Sequence, residues 1–286
     1  FRASAEIEVD ENKVLTLKQI FELVDAQPDS RFLELDDGRF VALSETFKRE
    51  LDKLRTYSTI DSDEHVRIHP SAAGLLENSI GALAYNTDEQ WDDTISQYND
   101  SQALLPVVPD TLLADLRPYQ VDGFDWLVKL ANWTTGGILA DDMGLGKTVQ
   151  ALSLLLCRAA SGPALVVAPT SVVNNWINEA ERFAPSLNVK VYAGDPATRR
   201  QLVESAKPYD LFITTYGILQ NDIEYLSNTL WTTAVLDEAQ AIKNITTKRA
   251  RSSFRLPALF RLLTTGTPIQ NNLMDLYSLF RFANPG

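Results

Sequence analysis

The chain has 286 residues, of which 45% are hydrophobic and 22% are charged, and its formal net charge is -12 at pH 7. This length and apolar content are sufficient for one full α/β domain with a smaller domain beside it. The single cysteine excludes an internal disulfide, and no apolar run approaches the roughly 18 residues of a membrane span, so we expect no association with a membrane.

The acidity is concentrated in the first third of the chain. Residues 1–110 contain 23 acidic and 10 basic residues, whereas residues 111–286 contain 15 acidic and 16 basic residues. We assign residues 1–104 to a small acidic α+β accessory domain that could bind a protein partner. Residues 105–115, which include two prolines, are assigned to a linker.

The secondary structure of the acidic domain is predicted from its apolar periodicity. Alternating large apolar residues around Asp37 and Gly38 predict a β-hairpin over residues 31–43. Helical spacing predicts four helices, at residues 17–26, 45–56, 71–85 and 88–98. The combination of a hairpin with helices is the basis of the α+β assignment.

Residues 116–286 alternate between short apolar runs and amphipathic stretches. This alternation predicts an α/β lobe, in which a mostly parallel sheet is covered by helices on both faces. The predicted strands are residues 136–140, 164–168, 188–193, 210–214, 232–237 and 260–264. The predicted helices are residues 118–131, 147–160, 171–183, 196–206, 246–254 and 271–282.

A glycine-rich turn follows the first of these strands, in the segment GGILADDMGLGKT at residues 136–148. Glycines allow the backbone to bend so that several N–H groups reach phosphate oxygens, and the following helix directs its positive end at the same anion. Lys147 would contact the β- and γ-phosphates of ATP, and the hydroxyl of Thr148 would ligate Mg²⁺. The strict pattern has glycine where this chain has Asp141. The phosphate-binding loop consists of Asp142, Met143, Gly144, Leu145 and Gly146.

Two acidic residues follow the apolar run Ala234–Leu236. Parallel α/β sheets bind their ligands at the carboxyl ends of the strands, so Asp237 is expected to hold Mg²⁺ and Glu238 to activate the attacking water. An Asp-Glu pair can also be a plain strand end. Its occurrence after the phosphate-binding loop favours the catalytic interpretation.

Basic residues without acidic neighbours occupy the stretch from Ala239 to Met274. It contains six lysines and arginines and no acidic residue, which suits contact with a nucleic-acid backbone. The alternative is an ordinary solvated helix face. The residues that we assign to DNA binding are Lys243, Lys248, Arg249 and Arg251.

Six segments in order resemble the motifs of the Swi/Snf-type ATPases of helicase superfamily two. They are LRPYQVDGFDWL (116–127), ILADDMGLGKTVQALSLL (138–155), ALVVAPTSVVNNWINE (164–179), LFITTYGIL (211–219), VLDEAQAIKN (235–244) and LLTTGTPIQNNLMDLYSLFRFANPG (262–286). The resemblance implies a RecA-like lobe of an ATP-hydrolysing double-stranded DNA translocase. It also implies a second RecA-like lobe, absent from this chain, that supplies arginines to the γ-phosphate.

The resemblance places the adenine-recognising motif at Arg117, Tyr119 and Gln120. A glutamine amide can donate to and accept from the adenine edge at once. The alternative for Gln120 is a capping role at a helix start after Pro118.

The segment that couples the nucleotide site to the second lobe falls on Thr265, Gly266 and Thr267, although a plain strand-to-helix turn would use the same residue types. Gln240 stands where most members have histidine, and the same change is found in bacterial members. We therefore expect a bacterial protein of the cytosol or nucleoid. Its alternative function is ATP-driven remodelling of a protein-DNA complex, with the acidic domain binding the protein partner.

Overall fold

The structure is a computed structural model of the chain. It describes residues 2–10, 13–27, 30–35, 37–60, 66–68, 72, 85–86, 89–266 and 273–285. The chain divides into two compact units between Ala103 and Leu104. No helix in these described ranges has the length and apolar character that a membrane crossing requires.

The first unit combines antiparallel strands with helices. Its described strands are β1 (Arg2–Asp10), β2 (Lys13–Thr16), β3 (Phe32–Glu34), β4 (Phe40–Ala42), β5 (Ser58–Ile60), β6 (Val66–Ile68) and β7 (Tyr85–Asn86). Its described helices are α1 (Leu17–Ala26), α2 (Glu45–Thr56) and α3 (Glu89–Ala103). Strand β1 pairs with β2, β6 and β7, β6 pairs with β5, and β3 with β4 form a separate hairpin.

Most of the predicted elements of this unit are confirmed. The hairpin and the first two helices occur where the periodicity places them, and the last helix extends to Ala103. Most of the predicted helix at residues 71–85 lies outside the described residues. Its last residue was predicted wrongly, because Tyr85 begins a strand that pairs with β1.

The second unit is a six-stranded parallel sheet with helices on both faces, as predicted. The strands are β8 (Gly136–Leu139), β9 (Ala164–Ala168), β10 (Asn188–Val191), β11 (Asp210–Thr215), β12 (Trp231–Asp237) and β13 (Ala258–Thr264), in the order β10-β11-β9-β12-β13-β8. The described helices are α4 (Pro118–Trp133), α5 (Lys147–Arg158), α6 (Thr170–Phe183), α7 (Pro196–Glu204), α8 (Tyr216–Leu226), α9 (Lys248–Phe254) and α10 (Leu273–Ala283).

Each face of this sheet has its own apolar core. Successive strand residues point to opposite faces, so Val166 of β9 packs in a cluster with Phe124 and Leu152 of α4 and α5, whereas Val167 packs in a second cluster with Leu219 of α8 and Phe282 of α10. Strand β9 is buried along its whole length. This burial on both faces explains its continuous run of apolar residues.

The strand register brings three residues into one row at the carboxyl edge of the sheet. Asp237 of β12 is aligned with Thr264 of β13, and Thr264 is aligned with Leu139 of β8. Neighbouring strands lie about 4.8 Å apart, so the row from Asp237 to Leu139 spans about 10 Å. The segment after Leu139 therefore starts close to Asp237.

Candidate nucleotide-binding site

The phosphate-binding loop has the backbone that its glycines predict. Gly144 and Gly146 have φ values of 83° and 77°, and Gly146 is the N-cap of α5. A Cβ atom at Gly146 would lie 2.4 Å from Nε2 of Gln120, whereas one at Gly144 would meet no atom within 4 Å. Both positions favour glycine through their backbone, and a Cβ atom at Gly146 would also displace the side-chain amide of Gln120.

Lys147 lies over the loop that precedes it. Its ammonium donates to the carbonyl oxygens of Asp141 at 2.7 Å and Asp142 at 3.0 Å. Asp141, which replaces the glycine of the strict pattern, has its own partner, because its Oδ2 accepts from Nε2 of the buried Gln150 at 3.0 Å. Because aspartate stands here in place of glycine, a carboxylate lies against helix α5.

The proposed adenine motif is hydrogen-bonded to the same loop. Gln120 donates from Nε2 to the carbonyl of Leu145 at 3.0 Å, and its Oε1 accepts from the backbone N–H of Arg117 at 2.9 Å. Tyr119 also donates its hydroxyl to the carbonyl of Leu145, at 3.1 Å. The capping role of Gln120 is therefore confirmed. Adenine recognition by Arg117, Tyr119 and Gln120 stays a prediction.

Asp237 receives hydrogen bonds from three elements. Its Oδ1 accepts from the hydroxyl of Thr264 at 2.5 Å, and its Oδ2 accepts from Nε1 of Trp176 in α6 at 2.8 Å. The hydroxyl of Tyr216 donates to its backbone carbonyl at 2.8 Å. Burial raises the pKa of Tyr216, and the neighbouring Asp237 raises it further, so this hydroxyl keeps its proton. No pattern in the sequence indicates the Trp176 bond.

Glu238 leaves the strand with a left-handed backbone. Its φ of 49° is unusual for a residue with a long side chain, and strain of this kind is concentrated at functional sites. Nε2 of Gln240 donates to Oε2 of Glu238 at 2.6 Å, and Oε1 of Gln240 accepts from the hydroxyl of Thr265 at 3.2 Å. Two of the residues assigned to coupling are thereby connected to the candidate catalytic carboxylate.

The coupling segment also contacts strand β8 and the phosphate-binding loop that follows it. The backbone N–H of Thr265 donates to the carbonyl of Leu139 at 3.2 Å. A Cβ atom at Gly266 would lie 2.8 Å from Cγ of Met143, so this glycine permits close approach of the two segments. Thr267, the third predicted coupling residue, lies outside the described residues.

Thr148 and Asp237 carry a hydroxyl and a carboxylate, which are oxygen donors of the kind that Mg²⁺ prefers. Mg²⁺ prefers oxygen ligands and is commonly bound by one or two carboxylates together with substrate phosphates and waters. Among the described residues, no group of three or more His, Cys, Asp and Glu side chains could hold a metal ion. The assignment of Thr148 and Asp237 to magnesium binding stays a prediction.

Some residues of the basic stretch are exposed to solvent, and others interact with neighbouring protein groups. Lys248, Arg249 and Arg251 are exposed on α9, and Lys243 is half-buried. The guanidinium of Arg249 lies 5.5 Å from the centroid of the Tyr216 ring.

Two other arginines of the stretch have protein partners. Arg255 forms an ion pair with Glu224 at 2.9 Å. Arg261 donates to the carbonyl of Leu256 at 3.0 Å, and its burial lowers its pKa. The candidate DNA surface is thus smaller than the charge pattern alone indicated.

Comparison with known proteins gives one consistent family. The model of the SNF2-related domain matches residues 119–286. The chain is 38% identical to the helicase SWR1 of Candida albicans over 257 residues, covering 87% of this chain and 15% of that protein. It is 34% identical to the TATA-binding protein-associated factor MOT1 of Saccharomyces cerevisiae over 252 residues, covering 82% of this chain and 14% of that protein.

A solved structure is similar in fold as well as in sequence. The SWI2/SNF2 ATPase core of Sulfolobus solfataricus in complex with double-stranded DNA superposes with a TM-score of 0.58 and 38% identity, covering 64% of this chain and 38% of that one. Compared with the two curated relatives SWR1 and MOT1, the chain spans about one seventh of their length.

Proposed function

The chain belongs to the SNF2-related family of helicase-like ATPases, and we propose that it is the first ATP-binding lobe of a motor that moves along double-stranded DNA. The observation that carries the ATP-binding part of this proposal is the convergence of two segments at one sheet edge, and the DNA part is supported by the similarity to an ATPase core solved with double-stranded DNA. Leu139 lies three residues before the phosphate-binding loop, and Asp237 occupies the same row of residues as Leu139, two strands away.

The residues of this edge have complementary parts in ATP hydrolysis. The backbone N–H groups of residues 142–146 and the ammonium of Lys147 would bind the phosphates, and Thr148 with Asp237 would hold Mg²⁺. When bound, Mg²⁺ neutralises charge on the β- and γ-phosphate oxygens. Glu238 would orient the attacking water and accept its proton, from a position that Gln240 defines by its hydrogen bond.

A pair of substitutions in the protein that contains both lobes tests the ATPase assignment. Lys147→Ala should weaken nucleotide binding, because the phosphates lose their mobile positive charge. Glu238→Gln should preserve binding and remove hydrolysis, since general-base catalysis contributes about 10²- to 10⁴-fold. Equilibrium binding of a labelled nucleotide and release of phosphate separate the two effects. Loss of binding in Glu238→Gln would instead indicate a structural carboxylate.

The second candidate function is remodelling of a protein-DNA complex. The acidic first unit favours it, because residues 1–110 have 13 more acidic than basic residues while the ATP-binding lobe is nearly neutral. One similar protein is described as a TATA-binding protein-associated factor. Displacement of a triplex-forming strand from naked DNA would support translocation. ATP-dependent release of a bound protein without strand displacement would favour remodelling.

A further inference from the structure

Trp176 of helix α6 forms a hydrogen bond with Asp237, the candidate magnesium ligand, which lies 61 residues further along the chain. Its side chain is 1% exposed and its Nε1 donates to Oδ2 of Asp237 at 2.8 Å. On the other carboxylate oxygen, Oδ1 accepts from the hydroxyl of Thr264 at 2.5 Å. Each oxygen of Asp237 is therefore held by a neutral donor from a different element.

Two donors in this arrangement fix the orientation of the carboxylate. A carboxylate held by one donor can rotate about its Cβ–Cγ bond, whereas donors on both oxygens define the plane of the group. Each oxygen has a further lone pair, so both can still bind a metal ion or a metal-bound water. Hydrogen bonds that orient metal ligands are commonly worth 10- to 100-fold in metal affinity or activity.

We propose that Trp176 is a positioning residue for magnesium, which holds the Asp237 carboxylate in the orientation that the magnesium-nucleotide complex requires. The inference rests on the proposed function of Asp237. The indole suits this task because it is a rigid donor without an acceptor group, and the packing of its ring in the core of the sheet fixes its direction. Its contribution is therefore expected in magnesium dependence rather than in phosphate binding.

The chain offers a matched control for the decisive substitution. Trp231 is also fully buried in the same unit, and its Nε1 donates to the backbone carbonyl of Leu226 at 3.0 Å. Trp176→Phe and Trp231→Phe each remove one indole N–H and leave one acceptor without that donor. Only the first of these acceptors belongs to Asp237.

The measurement is binding of a fluorescent, non-hydrolysable ATP analogue to the 286-residue chain at a series of Mg²⁺ concentrations. We expect Trp176→Phe to raise the Mg²⁺ concentration for half-maximal binding by about 10-fold or more, while binding without Mg²⁺ is unchanged. Trp231→Phe should leave both quantities at the wild-type values. Equal Mg²⁺ dependence of the two variants would overturn the inference, whereas a wild-type chain without magnesium-dependent binding would overturn the proposed function as well.

A measurement on the wild-type chain avoids the risk that Trp176→Phe fails to fold. In a ¹⁵N-labelled sample saturated with the same analogue, addition of Mg²⁺ should shift the indole N–H resonance of Trp176 and leave that of Trp231 in place. A Trp176 resonance that does not respond to Mg²⁺ would refute the inference. Unchanged melting temperatures would show that any altered magnesium dependence in the variants is local.

Discussion

Gln240 donates its side-chain N–H to the carboxylate of Glu238 at 2.6 Å, and this hydrogen bond orients the carboxylate just after β12. A hydrogen bond to a charged group is worth about 1.5–3 kcal/mol. Gln240→Ala should therefore lower kcat for ATP by about 10-fold or more, with KM unchanged. Steady-state ATPase assays of the two-lobe protein measure this, and Gln240→His, which keeps an N–H donor, should retain more activity. A rise in KM alone would contradict the orienting role.

Gly146→Ala should weaken ATP binding strongly. The added Cβ would lie 2.4 Å from Nε2 of Gln120, and the φ of 77° already disfavours any side chain. Gly144→Ala is the control for backbone strain alone, because its Cβ would meet no atom within 4 Å at a φ of 83°. Titration with a labelled nucleotide should rank the affinities as wild type, Gly144→Ala and Gly146→Ala. Equal affinities for the two variants would rule out the steric explanation.

Replacement of the exposed basic residues of α9 should weaken binding to duplex DNA. Removal of one side chain that binds a phosphate reduces the slope of log affinity against log salt by about 1, so Lys248→Ala, Arg249→Ala and Arg251→Ala together should flatten it by as much as about 3. Arg255→Ala is the matched control, because Arg255 is paired with Glu224. Fluorescence anisotropy at several salt concentrations gives the slopes. A triple variant with the wild-type slope would identify the cluster as ordinary solvated surface.

The 286-residue chain alone should hydrolyse ATP close to the background rate. The aligned 64% of the chain covers 38% of the matched ATPase core, and the family resemblance implies that a second lobe supplies arginines to the γ-phosphate. Such arginines contribute about 10³- to 10⁵-fold to the rate. Phosphate release should remain at background with and without duplex DNA, and addition of the second lobe should restore it. Rapid turnover by the isolated chain would be incompatible with a requirement for the second lobe.

Acid should remove the contribution of a buried ion pair to stability. Arg199 donates from Nε and Nη2 to Asp222 at 2.6 and 2.9 Å, and the hydroxyl of Tyr192 donates to Asp222 at 3.0 Å. Burial tends to raise the pKa of Asp222, but the hydrogen bonds from Arg199 and Tyr192 outweigh it and lower the pKa. The stabilisation is therefore complete above the unfolded pKa of about 3.9 and is lost as pH falls through the lower folded value.

Asp222→Asn should accordingly destabilise the chain by about 3–5 kcal/mol near neutral pH, because Arg199 stays buried without its counter-charge. The difference from wild type should shrink below about pH 4. Denaturant unfolding at pH 7 and pH 3 measures both values. Glu224→Gln, which breaks an exposed ion pair with Arg255, serves as the control and should leave stability nearly unchanged. If the variant and the wild type differ in unfolding free energy by the same amount at both pH values, the protonation of Asp222 is not coupled to stability.

The sheet and the phosphate-binding loop were predictable because their signals are local. Apolar runs such as Ala164–Ala168 report burial on both faces, and the glycines near Lys147 report a tight turn before a helix. The capping role of Gln120 was one of two alternatives that its position after Pro118 allowed. The fold class was therefore predictable from the periodicity of the apolar residues and from the glycines that mark the turns.

Hydrogen bonds and ion pairs between distant segments were not predictable in the same way. The bond between Trp176 and Asp237 crosses 61 positions, and helical periodicity reports only that the tryptophan is buried. The partners of Arg255 and Arg261 were missed because a charge pattern does not show which side chains are already engaged. The left-handed backbone of Glu238 had no signal, since its residue type disfavours that conformation.

That backbone conformation has an evolutionary consequence. Holding Glu238 in a left-handed conformation costs about 1–3 kcal/mol, a cost that glycine would avoid and asparagine would reduce. Selection for stability alone would favour replacement of the glutamate, and the proposed part of Glu238 in hydrolysis gives a reason for its retention. Lobes of this architecture that no longer hydrolyse ATP should therefore carry glycine or asparagine at this position and should melt at higher temperature than their active counterparts.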